Sequence, residues 1–168
     1  MTEGELFDTA FLRRAPTLGI RPETLADEQF LTELQIACSP LAALMPRAML
    51  EFQARAQLAS HCQQHPDAMR RIVFHEATPI ARFTIDWNIP GGSHGVDIAV
   101  LPQARATLAG PHMLKAWLEV ADRLHRSCSL DVLASNRAKL LYRRLGFVVT
   151  GEDDPAAPVL FMTRPSLS

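Results

Sequence analysis

The sequence predicts an α/β (α+β) fold: a mixed, mostly antiparallel, twisted sheet of six to seven strands with helices on both faces. Three observations lead to it. Apolar residues recur every second position through the middle of the chain, and they recur at helical spacing on either side of it. One helix also stands between two strands where it must serve as a parallel crossover. The 168 residues, 48% of them hydrophobic, suffice for one well-buried core and are few for two. A single domain over residues 17–168 is therefore expected, preceded by an arm, residues 1–16, lying on the domain or on a partner.

The first strand is Leu18-Gly19-Ile20-Arg21. After Pro22, Thr24 and Asp27 have the spacing of a capping box, and Phe30, Leu31 and Leu34 follow at helical spacing. A second helix runs from Pro46 to His65, with Leu50, Ala54 and Leu58 on one stripe. The period then changes. Ile72-Val73-Phe74 forms one strand, and Ala81, Phe83, Ile85 and Trp87, alternating with Arg82, Thr84 and Asp86, form the next, joined through Ala77-Thr78-Pro79. Pro90-Gly91-Gly92-Ser93 is a turn signal, and Val96, Ile98 and Val100 alternate after it, which makes three consecutive antiparallel strands.

Pro111 suits a first helical turn, where its missing N–H does no harm, and Leu114, Trp117, Ala121 and Leu124 form the apolar stripe behind it. A short strand, Leu130 to Leu133, comes next. A helix follows, capped near Ser135 or Asn136 and stopped by Gly146, with Ala138, Leu141 and Leu145 as its inner face. Phe147-Val148-Val149 and Val159-Leu160-Phe161-Met162 close the sheet.

Composition narrows the function. A formal net charge of −1 and a pI of about 6.6 provide no broad positive field, so neither nucleic acid nor an anionic membrane is an expected partner. Cys38, Cys62 and Cys128 are odd in number and widely spaced, which suggests reduced, buried thiols rather than a zinc cluster or redox pair. The acidic start Met1-Thr2-Glu3-Gly4-Glu5 does not resemble a signal peptide, and no apolar run approaches the roughly 20 residues that span a bilayer. A cytoplasmic protein is expected. His61 and His65 stand four apart on a helix but lack a third ligand, and Cys62 stands where zinc hydrolases need Glu, so no metal is expected. Arg137, Arg143 and Arg144 read as a solvated helix face.

The place for chemistry is the strand-to-helix junction Leu101 to Pro111. There a helix N-terminus offers unpaired N–H groups and a positive dipole end to an anion such as pyrophosphate. In an open α/β sheet, ligands also gather at the carboxyl ends of strands.

The run Asp97-Ile98-Ala99-Val100-Leu101-Pro102, followed by Arg105, Gly110, Asn136, Ala138, Leu141-Tyr142 and Leu145-Gly146-Phe147, resembles the GNAT superfamily of acetyl-coenzyme A-dependent N-acetyltransferases. The similarity spans residues 18 to 163 and is nearest to small bacterial members of unassigned substrate. It implies transfer of an acetyl group from acetyl-coenzyme A to the amine of a small molecule or peptide, and leaves a homodimer open.

The family's cofactor loop reads Arg or Gln, two variable residues, Gly, one variable residue, then Gly or Ala. This chain has Arg105, Ala106, Thr107, Leu108, Ala109 and Gly110, so Leu108 replaces the first glycine. Leucine adds bulk and restricts φ, which points to weakened or altered coenzyme binding, with the Leu108 N–H still available and the side chain turned into the sheet. A non-catalytic interaction or sensing module is the alternative reading.

The resemblance further implies that Tyr142, the sole tyrosine, protonates the departing thiolate, and that N–H groups near Ala99, Val100 and Leu101 bind the oxyanion. Asp97 is the carboxylate placed to act as base, or else a structural ion-pair partner, and His94 at the start of the strand is a second base. Asn136 corresponds to the residue that touches the pantetheine arm and also suits a helix cap. Phe83, Trp87 and His94 either line the acceptor pocket or, for the aromatic pair, fill the core.

Overall fold

The segment expected as an arm is a helix. Thr2 caps it: its hydroxyl accepts from the Glu5 N–H while the Glu5 carboxylate accepts from the Thr2 N–H, closing a capping box. Helix α1 (Glu3–Arg14) inserts Phe7 and Phe11 into the core, and Arg13 and Arg14 both pair with Glu119. Residues 1–16 thus lie on the domain. The computed structural model describes residues 1–151 and 156–168.

After α1 come β1 (Leu18–Pro22), α2 (Glu28–Ala37), α3 (Arg47–Gln64), β2 (Met69–His75), β3 (Thr78–Asp86) and β4 (Gly92–Val100). Then follow α4 (Ala109–Arg123), β5 (Ser127–Leu133), α5 (Ala138–Arg144), β6 (Val148–Val149) and β7 (Val159–Arg164). Among the described residues the strands form one seven-stranded sheet in the order β1-β2-β3-β4-β5-β7-β6. Only β4 and β5 are parallel, joined by the α4 crossover; the other pairs are antiparallel.

The two faces of β3 receive different covers. Ala81, Phe83 and Ile85 face α1 and α4, where the Phe83 ring lies 5.5 Å from Phe7 and meets Trp117 edge-on at 5.8 Å. The polar alternates are buried as well, because α2 and α3 cover the opposite face. Arg82 is 1% exposed, and Thr84 and Asp86 are also buried. A charge so enclosed requires partners, and Arg82 has two: Nε donates to Glu23 Oε2 and Nη1 to Asp97 Oδ2, each at 2.9 Å.

At the head of α2, the Thr24 N–H donates to Asp27 Oδ2 at 2.8 Å, and Arg21 grips the same carboxylate at 2.7 and 2.8 Å. The guanidinium holds that carboxyl down to about 2. Cys128 is buried as expected, but Cys38 is half-buried and Cys62 exposed; all three are free thiols. Among the described residues, no helix is long and apolar enough to cross a membrane.

Candidate active site

Strands β4 and β5 pair only from Gly92 with Ser127 to Gly95 with Leu130, then separate. On its other edge β4 stays paired with β3, with a register shift that leaves Val96 as the extra residue of a bulge. Simple alternation would place residues 94 and 97 on opposite faces. The bulge instead sets His94 opposite Asp86 and Asp97 opposite Thr84, so both project toward α2 and α3.

The Leu101 N–H donates to Ile80 O at 2.9 Å. In an antiparallel ladder this commits alternate residues, Leu101 and Ala99, to β3 and turns the peptide groups of Val100 and Ile98 toward the gap left by β5. Of the three expected oxyanion donors, Val100 alone faces the gap, and Ile98 joins it. Cys38 confirms the direction, since its thiol donates to Val100 O at 3.3 Å; burial pushes that thiol's pKa up.

Two cavities open from the gap. One, of about 700 Å³, lies among the end of β4, the start of α4 and the start of α5, and is bordered by Val100, Arg105, Leu108, Gly110 and Leu141. The other, of about 370 Å³, lies between the end of α3 and the diverging strands, and is bordered by His61, His65, His94, Asp97 and Asp131. Tyr142 and Asn136 border both. Tyr142 is the buried residue of α5, and the expected inner face, Ala138, Leu141 and Leu145, packs half-buried against the same core. Burial, with the Asp97 charge adding to it, pushes the phenol up to about 12, so it keeps its proton throughout the neutral range. Asn136 stands just before the start of α5, its Oδ1 accepting from the N–H of the helix's first residue, Ala138, at 2.9 Å.

The loop Pro102–Thr107 is a 3-10 helix, and it uses most of the donors expected to cradle an anion. The Leu108 N–H is not available: it donates to Arg105 O at 3.1 Å. Ala109 N–H donates to Thr107 Oγ1 at 3.3 Å, Pro111 has no N–H, and His112 N–H donates to Leu108 O at 3.0 Å. Gly110 is left as the unpaired donor of the turn among the described residues, with Arg105 nearby and exposed. Leu108 adopts the left-handed region, φ 59°, where a leucine is strained, and its side chain is 54% exposed at the cavity rim instead of lying in the sheet. Ala106 is exposed on this 3-10 segment, and the Thr107 hydroxyl donates to Ala104 O.

Asp97 borders the smaller cavity, but its Oδ2 accepts from Arg82 at 2.9 Å and from Gln35 at 3.3 Å. That is the ion-pair role. Phe83 and Trp87 are core residues and border neither cavity, whereas His94 does. His61 and His65, expected on a solvated helix end, face the cavity instead. His61 Nδ1 is buried with no partner among the described residues, and burial lowers its pKa; His65 Nδ1 lies 2.7 Å from Asp86 Oδ2. Four-residue spacing placed these two rings on one helical face, but nothing local marked that face as the one turned to the cleft. Among the described residues, no group of three His, Cys, Asp or Glu side chains is arranged to hold a metal.

Solved structures of the same architecture include the PaiA N-acetyltransferase of Thermoplasma acidophilum in complex with coenzyme A. It is 18% identical, with a TM-score of 0.67 over 88% of this chain and 98% of that one. An acetyltransferase of Thermus thermophilus is also 18% identical, with a TM-score of 0.67 over 89% and 97%. A GCN5-related N-acetyltransferase of Rhodopseudomonas palustris is 17% identical, with a TM-score of 0.61 over 89% and 96%. The chain has the GNAT fold. No protein-family model matches the sequence, and no curated protein does. The seven strands agree with the sequence expectation of six to seven.

Proposed function

We propose that this chain is a GNAT-type N-acetyltransferase that moves an acetyl group from acetyl-coenzyme A to the amine of a small molecule or peptide by direct transfer. The observation that carries the reading is the meeting of two cavities of different chemistry at one buried phenol, in the gap between β4 and β5. The coenzyme supplies an activated thioester. The larger cavity suits it: Gly110 N–H and the N-terminal end of α4 face an anion, Arg105 adds a cation, and Asn136 lies along the path to Tyr142.

Val100 N–H points into the gap, where it donates to the carbonyl oxygen as it gains charge in the transition state, while Ile98 N–H, one strand repeat away, faces the same gap. Tyr142 gives its proton to the sulfur that leaves. A phenol held at about 12 is fully protonated at neutral pH and so is ready to donate. The smaller cavity, polar and rich in histidine, receives the amine. A cytoplasmic location and bacterial-type relatives complete the reading.

The test is release of free coenzyme A thiol when the protein is mixed with acetyl-coenzyme A and a panel of primary amines: a diamine, an amino sugar and lysine-bearing or free-N-terminal peptides. Amine-dependent release with at least one member is the expected result. Tight coenzyme binding with no release for any amine contradicts the enzymatic reading and leaves a sensing module.

A further inference from the structure

Amine attack on a thioester needs a group that takes the proton, and Asp97, bound to Arg82 and Gln35, is already engaged. Given the acetyltransferase reading, we infer that His94 Nε2 is the proton acceptor for the incoming amine, with Ser129 as the positioning residue that fixes its ring.

The argument is geometric. His94 and Ser129 are cross-strand partners in the short stretch where β4 and β5 still pair, one residue before the strands part. His94 Nδ1 lies 2.9 Å from Ser129 Oγ, and the Ser129 hydroxyl donates onward to Ser93 O at 3.4 Å. With the hydroxyl hydrogen committed to that carbonyl, the Ser129 oxygen accepts Nδ1–H. The lone pair of the neutral ring is then on Nε2. Asp131 Oδ2 lies 3.6 Å from Nε2, too long for a hydrogen bond but near enough to stabilise an imidazolium once it forms.

The ring is also held in place by stacking. It lies nearly parallel to His65, at 5.7 Å, and to Phe161, at 6.4 Å. The titratable groups that act on it are Asp131 from β5, His65 beyond α3 and Asp86 from β3. Burial outweighs the two carboxylates and lowers its pKa below the ordinary histidine value, so the ring is neutral and basic at pH 7.

The proton count closes. As the amine nitrogen bonds to the thioester carbon, its proton passes to His94 Nε2; the C–S bond breaks and the sulfur takes the Tyr142 proton. His94 then loses its proton to water, and Tyr142 regains one.

The inference is tested with the amine from the panel that turns over fastest. In the wild type, kcat/KM rises with pH through an inflection below 6.5, as His94 loses its proton. His94→Gln lowers kcat/KM by about 10²-fold at pH 7 and abolishes that inflection, while thermal stabilisation by acetyl-coenzyme A is unchanged. Ser129→Ala lowers kcat with KM unaltered, and Ser129→Thr, which keeps the hydroxyl, restores it. A second readout needs no turnover: ¹⁵N spectra of the histidine rings in the full chain show His94 as the Nδ1–H tautomer at pH 7.

An Nε2–H tautomer, an inflection that survives His94→Gln, or its loss in His65→Gln alone overturns the assignment. Failure of the acetyltransferase reading looks different, because the wild type itself then releases no coenzyme A thiol with any amine of the panel.

Discussion

The cavity beside α4 is bordered largely by main chain and apolar side chains, among them Val100, Gly110, Leu114 and Leu141, whereas the cavity beside α3 is bordered by His61, His65, His94, Asp97 and Asp131. The first depends on local geometry: which way a strand's peptides point, and which N–H groups a loop leaves unpaired. The second depends on side chains brought together from α3, β4 and β5, three segments distant from one another in sequence. A cavity of main chain can serve one invariant ligand across many sequences, while a cavity of side chains can be rebuilt for each acceptor. Tyr142, bordering both, is where their roles can be separated.

Replacing that shared residue has the largest expected effect. Tyr142→Phe lowers turnover by about 10²-fold or more, equivalent to roughly 2.7 kcal/mol of transition-state stabilisation, with the Kd for acetyl-coenzyme A nearly unchanged. Steady-state kinetics and calorimetry check the two halves, and a variant with wild-type turnover removes the phenol from the chemistry.

Asp97→Asn sharpens the contrast within the smaller cavity. It weakens the bond to a buried Arg82 and costs about 1–3 kcal/mol of stability, read by denaturant melts, while kcat stays within about threefold. A 10²-fold loss of kcat with stability intact would make Asp97 the base and displace His94.

On the other side of the gap, Leu108→Gly has the smallest expected effect. A left-handed leucine carries about 1–2 kcal/mol of strain, and glycine costs about 0.5–1 kcal/mol in unfolded-state entropy, so a net gain of about 0.5–1 kcal/mol is expected. The same change clears bulk from the rim and lowers the Kd for coenzyme A. Loss of stability in this variant would show that the Leu108 side chain contributes packing that its exposure hides.

The same contrast explains what could be read without coordinates. Every strand, and the helices α2 to α5, announced themselves by period, cap or turn, because those signals are local. The strand-to-helix junction and Tyr142 are marked by short motifs. Thr2 and Glu5 have capping-box spacing, but the burial of helix α1 depends on a distant partner, α4, which no local signal marks.

The bulge at Val96 was not legible either, since Val96, Ile98 and Val100 alternate correctly on paper. It is that one extra residue which brings His94 and Asp97 to the same face. Likewise, Leu108 could be seen to break a glycine pattern. That its N–H is committed to Arg105, and its side chain to solvent, depends on the 3-10 turn before it.

The account rests on acetyl-coenzyme A being held by the β4–α4 side of the gap. Thermal unfolding with and without acetyl-coenzyme A tests this most directly: at about 100 times its Kd, the ligand should add roughly 2.7 kcal/mol of stability and raise the Tm accordingly. An unmoved Tm at millimolar acetyl-coenzyme A, in both the wild type and Leu108→Gly, would contradict it.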